Sequence, residues 1–93
     1  MEREISINSI LKEELKDPEF RRGFEIENIK LEIAAEVFET RERLGGWTQS
    51  KLAQEADVSK STVTEIENGN NINIETLCQL AAAMGKKMTI NIE

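Results

Sequence analysis

Apolar residues recur at helical spacing through most of the chain, and short turn signals divide the pattern into segments. The first segment places Ile10, Leu11 and Leu15 on one helical face, which predicts a helix from about Asn8 to Lys16. An Asp-Pro dipeptide follows, and the residue before a proline avoids helical backbone angles. The first helix is therefore expected to stop at this dipeptide.

A long apolar stripe follows the boundary. Asp17 is suited to cap the next helix, and Pro18 is suited to its first position. The stripe is wide, as expected for a helix that contacts both its own domain and a second surface. Gly23 leaves open whether the stripe is one helix or two, Pro18–Glu25 and Glu27–Leu44. The apolar positions are Phe20, Phe24, Ile26, Ile29, Leu31, Ile33, Ala34, Ala35, Val37, Phe38 and Leu44.

Three later helix starts share one arrangement of residues. An apolar residue precedes an N-cap residue, and a second apolar residue occupies the fourth helical position, which is a hydrophobic staple. Such staples fix the angle at which the chain enters a helix, so three in series predict short helices at steep mutual angles, as in a helix-turn-helix. The staples pair Trp47 with Leu52, Val58 with Val63 and Ile72 with Leu77, around the caps Thr48, Ser59 and Asn73.

The short helices are predicted over Gln49–Ala56, Lys60–Asn68 and Ile74–Met84. The turn residues 68–71 separate the second from the third, and Gly85 ends the third. All three helices are expected to contribute apolar side chains to one core. These side chains are Leu52, Ala53, Ala56, Val63, Ile66, Ile74, Leu77, Leu80, Ala81 and Met84.

A terminal strand is predicted after the last helix, because Met88, Ile90 and Ile92 alternate with polar residues. A single strand is not stable alone. It would pair with residues 4–8, with its copy in a dimer, or with the sheet edge of a partner.

Composition narrows the possible functions. The 93 residues favour one domain with an appended arm, and the net charge of −6 has the wrong sign for binding nucleic acid through bulk electrostatics. Positive charge would have to be local, and the acidic excess suggests a basic partner. With no histidine and a single cysteine, we expect no metal site, cofactor or catalytic residues, and hence no enzyme. No membrane span or signal peptide is expected, which favours the cytoplasm.

Four motifs resemble the Cro/C1-type (XRE) helix-turn-helix family. They are Trp-Thr-Gln-x-x-Leu-Ala (47–53), Val-Ser-x-Ser-Thr-Val-Thr (58–64), Ile-Glu-Asn-Gly (66–69) and Ile-Glu-Thr-Leu-x-x-Leu-Ala-x-Ala-Met-Gly (74–85). Leu-Lys-Asp-Pro-Glu-Phe-Arg (15–21), the long helix and the terminal strand resemble a subset, the HigA-type antitoxins of bacterial toxin–antitoxin pairs.

The resemblance implies an all-α fold: a five-helix lambda-repressor-like helix-turn-helix domain with an N-terminal helical arm and a short C-terminal strand. The arm would comprise residues 1–28, the DNA-binding domain residues 29–85, and the strand residues 86–93.

The resemblance also implies that the helix after Ser59 is the recognition helix, which lies in the major groove. Gln49 matches a family position that contacts backbone phosphate. Glu65 would either accept from a cytosine amino group or repel phosphates. The predicted DNA-contacting residues are Gln49, Lys51, Lys60, Ser61, Thr62, Glu65, Asn68 and Asn70.

Two further positions take their roles from the family pattern. Asp57 occupies a turn position where glycine is common, so we expect a left-handed backbone there at a cost of about 1 kcal/mol. Glu67 matches a glutamate that pairs with an arginine of the preceding long helix, and Arg41 is the candidate partner.

The resemblance to antitoxins implies a homodimer that represses its own operon at an inverted repeat and neutralises a RelE/HigB-like mRNA-cleaving toxin. Such a toxin is small and basic, and an acidic, apolar arm would bind it. The predicted toxin-binding residues are Ile5, Ile7, Ile10, Leu11, Glu14, Leu15, Phe20 and Phe24.

Two alternatives stay open. The chain would be a stand-alone transcriptional repressor without a toxin if residues 1–30 served only to build the dimer. It would be an interaction module with degenerate DNA binding if Glu65 and the acidic charge abolished the attraction to phosphates.

Overall fold

Four helices account for the regular structure of residues 13–93, the part of the chain that this computed structural model describes. They are α1 (Pro18–Glu42), α2 (Gln49–Ala56), α3 (Lys60–Glu67) and α4 (Ile74–Ala83). α2 packs against α3 and α4, and α1 packs against α3. The prediction of an all-α helix-turn-helix domain is confirmed.

The chain before α1 follows the predicted boundary. Residues 8–12 of the predicted first helix lie outside the described residues, so the structure describes four helices where five were predicted. Glu13 and Glu14 are helical and lead into a turn that ends at Asp17. The Asp17 carboxylate then accepts from the backbone N–H of Glu19 at 2.9 Å, which satisfies a free donor at the start of α1.

α1 continues through Gly23 without a break, so the long apolar stripe belongs to one helix and not to two. One glycine costs a helix about 1 kcal/mol relative to alanine, which the flanking turns can absorb. An ion pair between Arg21 and Glu25, 3.1 Å long, spans the glycine from one turn to the next.

The three short helices begin at the predicted caps. Each cap side chain accepts from a backbone N–H three residues later, and Trp47, Val58 and Ile72 lie against the core. These bonds run to Thr48 from Lys51 (3.0 Å), to Ser59 from Thr62 (3.1 Å) and to Asn73 from Thr76 (2.9 Å).

The core lies where the four helices meet. Leu52, Val63, Ile66 and Leu80 are fully buried. Ile74 was also predicted to be buried, and this is wrong, because its side chain is 60% exposed. It is the first residue of α4, and helical side chains lean toward the N-terminus, which here takes Ile74 toward solvent. The complete core cluster is Val37, Leu52, Ala53, Ala56, Val63, Ile66, Leu77, Leu80 and Met84.

α1 is buried only in its second half. Its buried residues are Ala34, Val37 and Arg41. A helix of 25 residues is about 37 Å long, which is more than twice the length of α2, α3 or α4, so the first half extends beyond them. The large apolar side chains Phe20, Phe24, Ile26 and Ile29 are therefore exposed on this first half. In the second half, Leu31 and Phe38 are exposed on the side of α1 that does not face the core.

Gly69 follows the end of α3 with a left-handed backbone, and there is room for a side chain of ordinary contact distance at this position. Its φ is +81°, and a Cβ atom there would lie 3.5 Å from the Leu31 side chain and 3.9 Å from the Lys30 carbonyl oxygen. Only glycine adopts this backbone region without strain.

The predicted C-terminal strand is wrong for this isolated chain. Residues 86–93 have no strand, and Ile90 and Ile92 are 66% and 92% exposed. The alternating pattern specifies which side chains share a face, but a strand also needs an edge to pair with. Residues 13–85 contain no strand that could provide that edge.

Candidate nucleic-acid interface

The turn between α2 and α3 sets the angle between the two helices. Asp57 has φ 57° and ψ 45°, so the left-handed backbone expected at this position is confirmed. Val58 donates its N–H to the Ala53 carbonyl at 3.0 Å, which closes the end of α2. Ser59 then caps α3 immediately, so the two helices are joined by a rigid turn.

The face of α3 opposite the core presents the predicted base-reading residues. Val63 and Ile66 are fully buried, and this fixes the rotation of the helix about its axis. Lys60, Ser61 and Glu65 are exposed as a result. Asn68 and Asn70 are also exposed and flank Gly69 at the far end of α3.

Thr62 has a second role besides the predicted one. Its hydroxyl lies 2.8 Å from the Ser59 hydroxyl, and its N–H donates to the same Ser59 oxygen. The side chain is half-buried. Thr62 thus belongs partly to the cap of α3, while Ser61 is the hydroxyl residue that faces solvent.

Lys51 is exposed on α2 and is already engaged. Its ammonium group lies 3.0 Å from the Glu55 carboxylate and 5.6 Å from the centre of the Trp47 ring. A phosphate would compete with Glu55 for this charge, so Lys51 is a weaker anion-binding group than a free lysine.

A buried polar network connects α1, α2 and α3. Arg41 donates through Nε and Nη2 to the two oxygens of Glu67, at 2.8 and 2.9 Å, and through Nη1 to the Trp47 carbonyl at 2.8 Å. The predicted pairing of Arg41 with Glu67 is confirmed. The hydrogen bond to Glu67 raises the pKa of Arg41 above its ordinary value, against the opposing effect of burial.

Gln49 extends this network to the predicted phosphate-contacting position. Its Nε2 donates to Glu67 Oε1 at 3.1 Å, and its Oε1 accepts from the Thr64 hydroxyl at 2.8 Å. Gln49 is half-buried and borders a concave surface shared with Thr48, Ser50 and Lys60. No role for Thr64 was predicted, although it lies within a quoted motif, because its partner on α2 is brought close only by the packing of α2 and α3.

The surface formed by α2 and α3 carries more negative than positive charge. Residues 49–68 contain two lysines and four acidic residues, of which Glu67 is neutralised by Arg41. Lys60 stands at the first position of α3, beside the Gln49 surface. The positive charge on this face is thus small and concentrated at the start of α3.

The predicted toxin-binding residues are partly described. Ile5, Ile7, Ile10 and Leu11 lie outside the described residues. Glu14 is exposed and Leu15 half-buried. Phe20 and Phe24 stack on the surface of α1, with ring centres 6.4 Å apart and planes inclined by 22°. Both rings belong to the first half of α1 and lie outside the core cluster.

Residues 13–93 carry neither a metal-binding cluster nor a membrane-spanning helix. No group of three or more His, Cys, Asp or Glu side chains in this range is placed to hold a metal ion. None of its helices has both the length and the apolar composition needed to cross a bilayer.

Comparison with known proteins gave one match. A helix-turn-helix family model matches residues 37–91, which is more than half of the chain. No curated protein and no solved structure matches this chain. The matched range includes α2, α3 and α4 in full and begins in the second half of α1, so Phe20 and Phe24 lie outside it.

Proposed function

Since the chain belongs to the Cro/C1-type helix-turn-helix family of DNA-binding transcription regulators, we propose that it is an antitoxin. It binds operator DNA as a homodimer, represses its own operon, and neutralises a basic RelE/HigB-like toxin that cleaves mRNA. The DNA-binding and toxin-binding roles belong to different parts of the molecule.

The DNA-binding role belongs to α3 and the start of α2. Lys60, Ser61 and Glu65 are exposed on α3, and Gln49, the first residue of α2, borders the same concave surface as Lys60. A two-fold dimer would place its two recognition helices roughly 34 Å apart. The operator is therefore an inverted repeat with half-sites about one helical turn apart.

The observation that carries the toxin-binding role is the exposed first half of α1. Phe20, Phe24, Ile26 and Ile29 are 38–55% exposed. They lie before the range that the family model matches, so the DNA-binding unit does not need them. An apolar surface of this kind marks a protein interface.

Charge supports a basic partner for this surface. Residues 13–30 contain six acidic and four basic residues, and the whole chain has a net charge of −6. An acidic surface would cover the basic groups with which a ribonuclease holds RNA. The proposed toxin-binding residues within the described range are Glu14, Leu15, Phe20 and Phe24, and those before it are Ile5, Ile7, Ile10 and Leu11.

Co-expression with the adjacent gene tests the proposal. If that gene encodes a small basic protein, we expect it to arrest growth alone, and we expect this chain to restore growth and to copurify with it. A neighbour that neither arrests growth nor copurifies would exclude the antitoxin role.

The second candidate is a stand-alone repressor, and it is favoured by the completeness of the core without the first half of α1. In that case the exposed face of α1 would only build the dimer. Substitutions in this face would then convert the dimer to a monomer and weaken operator binding, whereas the antitoxin role predicts lost toxin binding with operator binding retained.

A mobility shift with the promoter of the chain's own gene tests the DNA-binding role itself. We expect a shift that weakens as salt rises, because phosphate contacts release counterions. No shift at low salt would favour the interaction module with degenerate DNA binding.

A further inference from the structure

The amide of Gln49 is held in one orientation by groups on α3. Glu67 is a carboxylate and can only accept, so the amide nitrogen, and not the amide oxygen, must face it. The Thr64 hydroxyl donates to the amide oxygen from the other side at 2.8 Å. A flipped amide would set two oxygens against each other at Glu67.

One of the two N–H donors of the Gln49 amide is not used in this arrangement. The amide nitrogen carries two hydrogens, and one of them is directed to Glu67. The side chain is half-buried on a concave surface that also includes Ser50 and Lys60. Among residues 13–93 the second hydrogen has no hydrogen-bond partner, and the amide borders the same concave surface as Lys60, the first residue of α3.

We infer that Thr64 is a positioning residue for DNA binding: it holds the Gln49 amide so that its second N–H donates to a DNA phosphate. The inference rests on the proposed binding of operator DNA. Thr64 itself does not read bases, because its half-buried hydroxyl is shared between Gln49 and the Lys60 carbonyl, 3.1 Å away.

The consequence is a link between the two parts of the interface. The donor on α2 that sets the position of the protein on the DNA backbone is held by the helix that reads the bases. Without the Thr64 hydroxyl, Glu67 still holds the amide nitrogen, but the oxygen end is free to swing. The second N–H is then no longer held toward the phosphate, and the contact is lost from the complex.

The test compares Thr64→Val, which removes the hydroxyl and keeps the shape, with Thr64→Ser, which keeps the hydroxyl. Affinity is measured by fluorescence anisotropy on a duplex from the promoter of the chain's own gene. We expect Thr64→Val to weaken binding about tenfold, the effect of one hydrogen bond to a charged group, and Thr64→Ser to bind nearly as the wild type. Equal affinities of wild type and Thr64→Val overturn the inference.

A matched control separates this effect from a general loss of a threonine. Thr40 is also half-buried and its hydroxyl also donates to a carbonyl four residues earlier, that of Glu36 at 2.6 Å, but it lies on α1 away from Gln49. Thr40→Val is expected to bind the promoter as the wild type does. Equal losses for Thr40→Val and Thr64→Val overturn the inference.

A phosphate scan provides a readout that a structural role would not change. Single phosphates along the duplex are replaced, one at a time, by a neutral methylphosphonate. At one position we expect this replacement to weaken binding of the wild type and to leave the affinity of Gln49→Ala unchanged. Thr64→Val should be insensitive at that position and Thr64→Ser sensitive. If Thr64→Val keeps the full sensitivity, Thr64 does not act through Gln49.

The outcomes distinguish this inference from the proposed function. If the wild type gives no shift with its promoter at low salt, the proposed DNA binding fails and the inference fails with it. If the wild type binds and Thr64→Val binds equally well, only the inference fails.

Discussion

Arg41 and Glu67 are 26 residues apart in sequence and form a two-pronged ion pair that joins α1 to α3. Their side chains are only 8% and 5% exposed. The third nitrogen of Arg41 donates to the Trp47 carbonyl, and the Phe38 ring lies 5.3 Å from its guanidinium carbon. One arginine thus fixes α1, the segment before α2, and α3 relative to one another.

We predict that Arg41→Ala lowers the free energy of unfolding by about 3–5 kcal/mol, because it leaves Glu67 charged and unpaired in a buried position. Urea unfolding measures the change. The control is Arg43→Ala, which removes an exposed pair with Glu39 at 3.7 Å and should cost less than about 1 kcal/mol. Similar losses for both variants would contradict a special role for the buried pair.

The stability that Arg41 contributes should not change with pH over the ordinary range. The folded state raises the pKa of Arg41 above its ordinary value, chiefly through the hydrogen bond to Glu67. A raised pKa contributes stability that is present below the ordinary value and is lost only when the pH rises above it. No loss of stability through deprotonation of Arg41 is therefore expected at neutral or moderately alkaline pH.

The two glycines at positions 23 and 69 should respond to alanine in opposite directions. Gly69→Ala is expected to destabilise by about 1–2 kcal/mol, because φ is +81° there. Gly23→Ala is expected to stabilise by about 1 kcal/mol, since Gly23 is inside α1 and a Cβ atom would contact nothing. Thermal unfolding measures both, and a stabilising Gly69→Ala would disprove the argument.

The sequence predicted the parts of the fold that depend on nearby residues. Ser59 and Val58 specify the start of α3 locally, and the structure has the cap and the buried apolar residue there. The placement of Ile74 and of the terminal residues could not be predicted in this way. Their burial and pairing depend on which surfaces other elements provide, and no local pattern records that.

In the candidate interface, too, the sequence predicts what depends on one helix but not what depends on how two helices pack. Val63 and Ile66 define the inward side of α3, so the outward residues follow from helical periodicity. Thr64 and Gln49 are 15 residues apart and lie on different helices, so their hydrogen bond follows from the packing angle. That angle becomes known only with the whole fold.

Lys60 and Ser61 should affect DNA binding in different ways. Lys60→Ala is expected to weaken binding to all sequences and to reduce the salt dependence by roughly one phosphate contact per protomer. Ser61→Ala is expected to reduce the discrimination between bases at one position of the site by about 1 kcal/mol of binding free energy. It should leave the salt dependence of binding unchanged. Anisotropy titrations on promoter variants at several salt concentrations measure both effects. If both variants reduced the salt dependence equally, Lys60 and Ser61 would not have separate phosphate-contacting and base-reading roles.

Glu65 is exposed on the same face and adds a negative charge near the DNA backbone. We predict that Glu65→Gln strengthens binding to unrelated duplex DNA about threefold at low salt, as expected for removal of one exposed repulsive charge. The gain should disappear at high salt. Weaker binding confined to sites with a cytosine at one position would instead identify Glu65 as a base-reading residue.

The stacked rings of Phe20 and Phe24 should serve partner binding rather than folding. They are 38% and 40% exposed and lie outside the core cluster, so replacing both with alanine is expected to change the free energy of unfolding by less than about 1 kcal/mol. The double variant should bind promoter DNA as the wild type does and fail to copurify with the toxin or to restore growth. Ile74→Ala is the matched control, because this large apolar side chain is 60% exposed on α4, away from the stack. If both variants neutralise the toxin equally well, the stack is not part of the toxin-binding surface.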